Sequence, residues 1–184
     1  MKEMGKDIAQ MLLLLHTLRG AEYSRQVERI ARRAEFQPVC HENNIYSTGG
    51  EHGEDYANLI AAARKVVEHG FRVFILPNPK GIRTADFILE RKGTYKIYDL
   101  KTIQGRSSAI NRLLESIGQT NRVVLNIASD YNPSLLARDI RKYFERHGDA
   151  IEVLVLKNHK SISISRELSQ SNVFYRIFMK KYTK

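Results

Sequence analysis

Apolar residues recur at three- and four-residue steps through Ile8, Met11, Leu12, Leu15 and Leu18, and again through Val27, Ile30, Ala31 and Ala34. That period predicts two amphipathic helices within residues 1 to about 36, broken near Gly20. Opposite the second stripe stand Arg25, Arg29, Arg32 and Arg33, with Glu28 and Arg32 spaced for an i,i+4 ion pair. Pro38 takes residues 36–42 out of helix into an extended segment. Asn43-Asn44, Ser47-Thr48 and Gly49-Gly50 then punctuate a loop over 43–53. A further helix is predicted over 54–69, with Leu59, Ile60, Ala63, Val66 and Val67 on one face and Gly70 as its C-cap.

The period then shortens. Phe71 to Leu76 is a strongly β segment, and the prolines at 77 and 79 forbid its continuation. Residues 84–90 and 95–100 are rich in β-formers and are separated by Arg91-Lys92-Gly93-Thr94. The glycine supplies the positive φ of a tight reversal, so the two runs form a β-hairpin. With the turn centred between Lys92 and Gly93, Glu90 lies opposite Tyr95, Ile88 opposite Ile97, and Asp86 opposite Asp99. Opposed residues share a face, and Lys101, two positions after Asp99, emerges on the same one.

Beyond a polar loop at 104–108, the pattern gives a helix over 109–118, a buried-type strand over 123–127, and a helix over 133–147 starting at Pro133. A strand follows over 151–156, then a half-exposed strand over 161–165. Residues 174–179 read as a last strand before the basic tail of 180–184. The fold class is therefore α/β. A mixed sheet is built from 71–76, the 84–101 hairpin, 123–127 and 151–156, with helices 54–69, 109–118 and 133–147 on its faces.

The hairpin carries the candidate chemistry. Two carboxylates facing each other across a strand pair repel, and the apolar residues Phe87, Leu89, Ile97 and Leu100 make their surroundings dry. A divalent cation, Mg²⁺ or Mn²⁺, resolves the conflict through hard oxygen ligands from both strands. A neighbouring lysine can then orient a water or balance the charge of a scissile phosphate.

Charge narrows the class of partner. Thirty Lys and Arg against twenty Asp and Glu leave a net +10, which points to a polyanion, most simply nucleic acid. A single cysteine, Cys40, excludes an intramolecular disulfide and a Cys-based zinc site; it is expected as a small core residue. The six histidines show no metal-binding spacing and are expected at the surface. No Gly-rich phosphate loop occurs. The apolar run 11–15 is too short to span a bilayer, and the acids before it argue against a signal peptide, so no membrane partner is expected.

Asp86 followed by Asp99-Leu100-Lys101 resembles the D…(D/E)xK signature of the PD-(D/E)xK nuclease superfamily. Asp stands for the commoner Glu, and Ala85 stands where the family name has proline. Gly81-Ile82-Arg83-Thr84-Ala85-Asp86 resembles the approach to that acid in nuclease toxin domains of contact-dependent inhibition systems and related mobile-element proteins. The likeness covers roughly residues 50–130. It implies a restriction-endonuclease-like domain over 43–184 with an N-terminal helical extension over 1–42. It further implies that Asp86, Asp99 and the carbonyl of Leu100 hold Mg²⁺ or Mn²⁺, and that Lys101 positions the attacking water.

Family members also bring an acid from the helix that opens the core. Here Glu51, Glu54 and Asp55 are the candidates, with Asp55 bordering the buried face; acids in a first helical turn also serve the helix dipole. Gln119, after the next helix, matches a residue that lies near the phosphate, and Arg106 and Arg112 are further candidates for the substrate backbone. The implied substrate is RNA such as tRNA, or DNA. The implied partner is an immunity protein, and the implied site of action is a cytoplasm, including that of a target cell reached as part of a larger protein. Two other readings stand beside this one: a non-catalytic nucleic-acid-binding module, and a structural component of a phage-derived or conjugative element.

Overall fold

The computed structural model describes residues 2–15, 18–48, 55–79 and 81–184, and side chains from residue 5 onward. It is an α/β protein, as expected, and it packs as two compact units, 1–99 and 100–184.

The first unit opens with α1 (Lys2–Leu15) and α2 (Gly20–Ala31), matching the two predicted stripes. Ile8, Leu12, Leu15, Val27, Ile30 and Ala31 are buried, whereas Met11 and Leu18, expected on the same stripe, are exposed. The predicted ion pair forms, with Arg32 2.7 Å from Glu28. After β1 (Phe36–Pro38), residues expected as loop instead form β2 (Ile45–Thr48). Ile45 and Ser47 are buried there, and β2 lies beside β3 in parallel register. The turn-forming residues at 43–44 precede this short strand and do not dissolve it; Gly49-Gly50 lie outside the described residues.

Helix α3 (Tyr56–Glu68) leads into β3 (Arg72–Ile75), then β4 (Phe87–Arg91) and β5 (Thr94–Ile103). Strands β1 to β5 hydrogen-bond in chain order; only β2 and β3 run parallel. One face of this sheet, with Phe74, Leu76, Ile88, Tyr95 and Ile97, shares a core with the buried residues of α1 and α2. Helix α3 packs on β2 and β3 with Ile60, Ala63 and Val66 buried outside that cluster. It therefore covers the other face. Helix α2 also shields β5: Ser24 Oγ accepts from Tyr95 N–H at 2.9 Å and Tyr23 Oη from Ile97 N–H at 2.8 Å. These side chains satisfy amides that an open sheet edge would leave for another chain.

The second unit begins with the end of β5, whose Ile103 carbonyl accepts from Ala128 N–H at 2.9 Å. Then come α4 (Ala109–Leu114), β6 (Arg122–Ile127), α5 (Pro133–Arg146), β7 (Glu152–Lys157), β8 (Lys160–Ser165), α6 (Arg166–Gln170) and α7 (Phe174–Thr183). Strand β7 pairs parallel with β6 and antiparallel with β8. Helix α4 stops short of its predicted end. Ser116, fully buried, donates its hydroxyl to the Leu113 carbonyl at 2.7 Å, an alternative to continued helix, and Gly118 turns the chain at φ 87°.

Residues 174–179 are helix, not the predicted strand. Their β-rich composition hid a helical period: Phe174, Phe178 and Tyr182, spaced by four, are the buried positions of α7. The Phe178 ring lies 5.8 Å from Phe174 and 5.2 Å from Tyr182. Phe178→Ala is expected to cost about 3–5 kcal/mol of stability, measured as the shift in urea unfolding. A cost near zero would show that α7 does not anchor this core. Two smaller expectations also fail: Cys40 is exposed, and His147 is buried against Asn121, with Nε2 3.1 Å from Oδ1. No described helix is long and apolar enough to cross a membrane.

Candidate functional site

The hairpin that carries the two aspartates closes through Lys92 (φ 52°) and Gly93 (φ 77°), both in the left-handed region that a two-residue turn requires. Its register is the expected one, with Glu90 opposite Tyr95 and Ile88 opposite Ile97. A network locks that register. Glu90, buried, accepts from Arg72 Nε at 2.6 Å and from the Gly93 amide at 2.7 Å, while Arg72 Nη2 donates to Tyr95 Oη at 2.9 Å. Arg72, Glu90 and Tyr95 lie directly across three adjacent strands.

Burial alone would raise the Glu90 carboxyl, but the Arg72 hydrogen bond, the Gly93 amide and the Arg72 charge together hold it below the ordinary 4.5. A carboxyl lowered on folding stabilises the native state above its unfolded value, and that contribution is lost as pH falls through the folded value. Wild type should therefore lose stability between about pH 5 and pH 3 more steeply than Glu90→Gln. Parallel urea midpoints for the two proteins would show that Glu90 is not coupled to folding.

Asp99 lies on β5 and is only 1% exposed. Alternation puts it on the face of Tyr95 and Ile97, at the border of the apolar cluster covered by α1 and α2. Burying a carboxylate there is costly without compensating interactions, and Asp99 is engaged by such an interaction. Lys101, half-buried, follows on the same side of the same strand, and Leu100 between them turns its side chain the other way.

Asp86, half-buried, sits one residue before β4, and the paired ladder ends at Phe87 opposite Tyr98. The Asp86 amide donates to the Tyr98 carbonyl at 3.2 Å, and the Asp86 carbonyl accepts from Leu76 N–H at 2.9 Å. Its backbone is thus pinned between β3 and β5, one step from the predicted partner Asp99. The sixth pair departs from ideal register because the chain is already leaving the ladder toward the 81–85 segment.

The remaining candidates come from other elements of the chain. Asp55 is the N-cap residue of α3, exposed, with no side-chain capping bond; Glu51 and Glu54 lie outside the described residues. Gln119 is half-buried in the turn that joins α4 to β6, five residues beyond the helix end. Arg112 on α4 is paired with Glu115 at 2.9 Å, so that guanidinium already has a carboxylate. Among the described residues, no group of three or more His, Cys, Asp or Glu forms a metal cage.

The hairpin and its approach carry two carboxylates, Asp86 and Asp99, along with main-chain oxygen. Hard oxygen donors of this number suit Mg²⁺ or Mn²⁺, which keep several positions for water and phosphate and do not require an all-protein cage.

The second unit holds a feature that the sequence reading did not find. A cleft of about 400 Å³ lies between the 105–108 loop and α5, with Arg106, Arg138 and Lys142 at its rim. Tyr131 forms part of its wall, its oxygen accepting from Ala109 N–H at 3.1 Å and donating to Asp139 Oδ2 at 3.1 Å. Burial first, and then the Asp139 charge, push the Tyr131 phenol above its ordinary value, so it stays a donor. The signal available in the sequence was the i,i+4 pair Arg138 and Lys142, three and seven residues after Leu135.

No family model matches the chain, and no curated protein matches it. Among solved structures, it is similar to the CdiA-CT/CdiI toxin and immunity complex from Burkholderia pseudomallei. The identity is 15% and the TM-score 0.46, over 66% of this chain and 98% of that one. A likeness that weak fixes neither activity nor family.

Proposed function

We propose that this chain is a Mg²⁺- or Mn²⁺-dependent nuclease of the PD-(D/E)xK kind, hydrolysing phosphodiester bonds of RNA, including tRNA, or of DNA. The observation that carries the reading is Asp99: a carboxylate almost wholly removed from water, on a hairpin whose register is the expected one as far as Phe87 opposite Tyr98, with Lys101 next on its strand face. The order α3–β3–β4–β5–α4–β6 around it is the helix, strand, hairpin, helix and strand order that the sequence resemblance implies.

Asp99 and Asp86 would hold the cation, and the Leu100 carbonyl would add a third oxygen. When bound, the cation supplies Lewis-acid stabilisation of the phosphate and a more acidic water. Lys101 orients the attacking water through its positive charge. The water oxygen bonds to phosphorus and gives up a proton to solvent, while the P–O ester bond to the leaving oxygen breaks and that oxygen takes a proton from solvent. The net charge of +10 draws the polyanion to the surface and neutralises its backbone. Asp55 and Gln119 belong to the proposal as auxiliary groups toward the water and the phosphate. A toxin role with an immunity-protein partner, and delivery to a target cell's cytoplasm, rest on the sequence resemblance at 81–86 and 99–101.

The test is incubation of the purified protein with tRNA, plasmid and single-stranded DNA, each with Mg²⁺, Mn²⁺ or EDTA. Cleavage of at least one substrate with metal and none with EDTA is expected. Salt-sensitive binding without cleavage under any condition would replace this reading with that of a non-catalytic nucleic-acid-binding module.

A further inference from the structure

The cleft of the second unit has a composition that the nuclease chemistry does not use. Its cations come from two segments: Arg106 from the loop after β5, and Arg138 with Lys142 from one face of α5. Asp139, 3% exposed, is the acid of the lining; its Oδ1 is 3.8 Å from Arg138 Nε, and its Oδ2 is engaged by Tyr131. Among the described residues, Arg106 and Lys142 have no ion-pair partner. Two cations at i,i+4 on a helix repel, and an anion between them removes that cost.

The rest of the lining is apolar or aromatic: Ile110, Leu135 and the Tyr131 ring. Two hydrogen bonds hold that ring in place, one to the Ala109 amide and one to a buried carboxylate. A fixed aromatic surface beside cations is the combination that holds unpaired nucleotides, since each base has a π-face and each linkage a phosphate. A duplex hides its base faces in the stack and would leave the Tyr131, Ile110 and Leu135 wall without a partner. At about 400 Å³, the cleft is at the small end of ligand sites and suits one nucleotide.

We propose that this cleft is a subsite for one unpaired nucleotide of a single-stranded nucleic acid. Arg106, Arg138 and Lys142 take the flanking phosphates, and Tyr131 with Ile110 and Leu135 takes the base. The inference rests on the proposed function for its nucleic-acid substrate and is independent of that function's chemistry.

Binding of a fluorescent oligouridylate single strand to the full chain, measured by anisotropy in excess EDTA across a salt series, tests it. Arg138→Ala/Lys142→Ala is expected to weaken binding about tenfold and to make the log–log salt slope shallower by about 1.4, at about 0.7 per lost phosphate contact. Lys180→Ala/Lys181→Ala removes the same charge from exposed positions of α7 and should change affinity less than about twofold. Tyr131→Ala, compared with wild type at equal folded fraction, should weaken binding about tenfold with the salt slope unchanged. Equal losses in the two double-lysine/arginine variants, or a duplex bound as tightly as the single strand and equally sensitive to Arg138→Ala/Lys142→Ala, would overturn the subsite.

The two readings fail separately. Absent metal-dependent cleavage, with the Arg138→Ala/Lys142→Ala effect intact, removes the nuclease and leaves the subsite. Normal metal-dependent cleavage, with no effect on single-strand binding, removes the subsite and leaves the nuclease.

Discussion

Asp99→Asn is expected to reduce cleavage about a thousandfold or more, because it withdraws a ligand whose cation supplies several kcal/mol of transition-state stabilisation. The amide preserves the side chain's volume at a position only 1% exposed, and rates are compared at equal folded fraction so that the loss read is chemical. Mn²⁺ affinity, read by calorimetric titration, should fall in parallel. Retained cleavage by folded Asp99→Asn would mean that this acid is a structural group of the core.

Lys101→Ala separates chemistry from metal binding. Cleavage should fall about a hundredfold or more, the scale for removing one preorganised charge from a reacting centre, while Mn²⁺ affinity is kept. On the proposed site its ammonium would offset the negative charge of the aspartates, so the metal-free variant should unfold more readily than wild type, and added Mg²⁺ should restore part of the difference by binding the folded state. Rate and metal titration are compared at equal folded fraction. Undiminished cleavage by Lys101→Ala would make this lysine a surface charge and move the site elsewhere.

The hairpin was legible in the sequence because one local feature fixes it. Lys92-Gly93 dictates a two-residue turn, and the turn sets every pair from Arg91 and Thr94 to Phe87 and Tyr98. Asp86, at the sixth step, lies where the ladder ends and the 77–85 segment takes over, which local pairing rules do not describe. Helix α7 was misread for a different reason. Phe, Tyr and Ile suggest strand by propensity, yet the buried spacing 174, 178, 182 is helical, and packing decides. Strand β2 was hidden by its Asn- and Gly-rich borders; its partner β3 lies more than twenty residues on, so pairing with it is invisible to a local reading. The cleft escaped for the same reason, since Arg106, Tyr131 and Arg138 meet only when the 105–108 loop, α4 and α5 are packed.

The position of Mn²⁺ in crystals grown with it, read from anomalous scattering, tests the two-aspartate centre most directly. The account predicts an ion with carboxylate oxygens of both Asp86 and Asp99 at about 2.0–2.6 Å. An ion held elsewhere, with neither aspartate in contact while the crystallised protein still cleaves nucleic acid on dissolution, would contradict it.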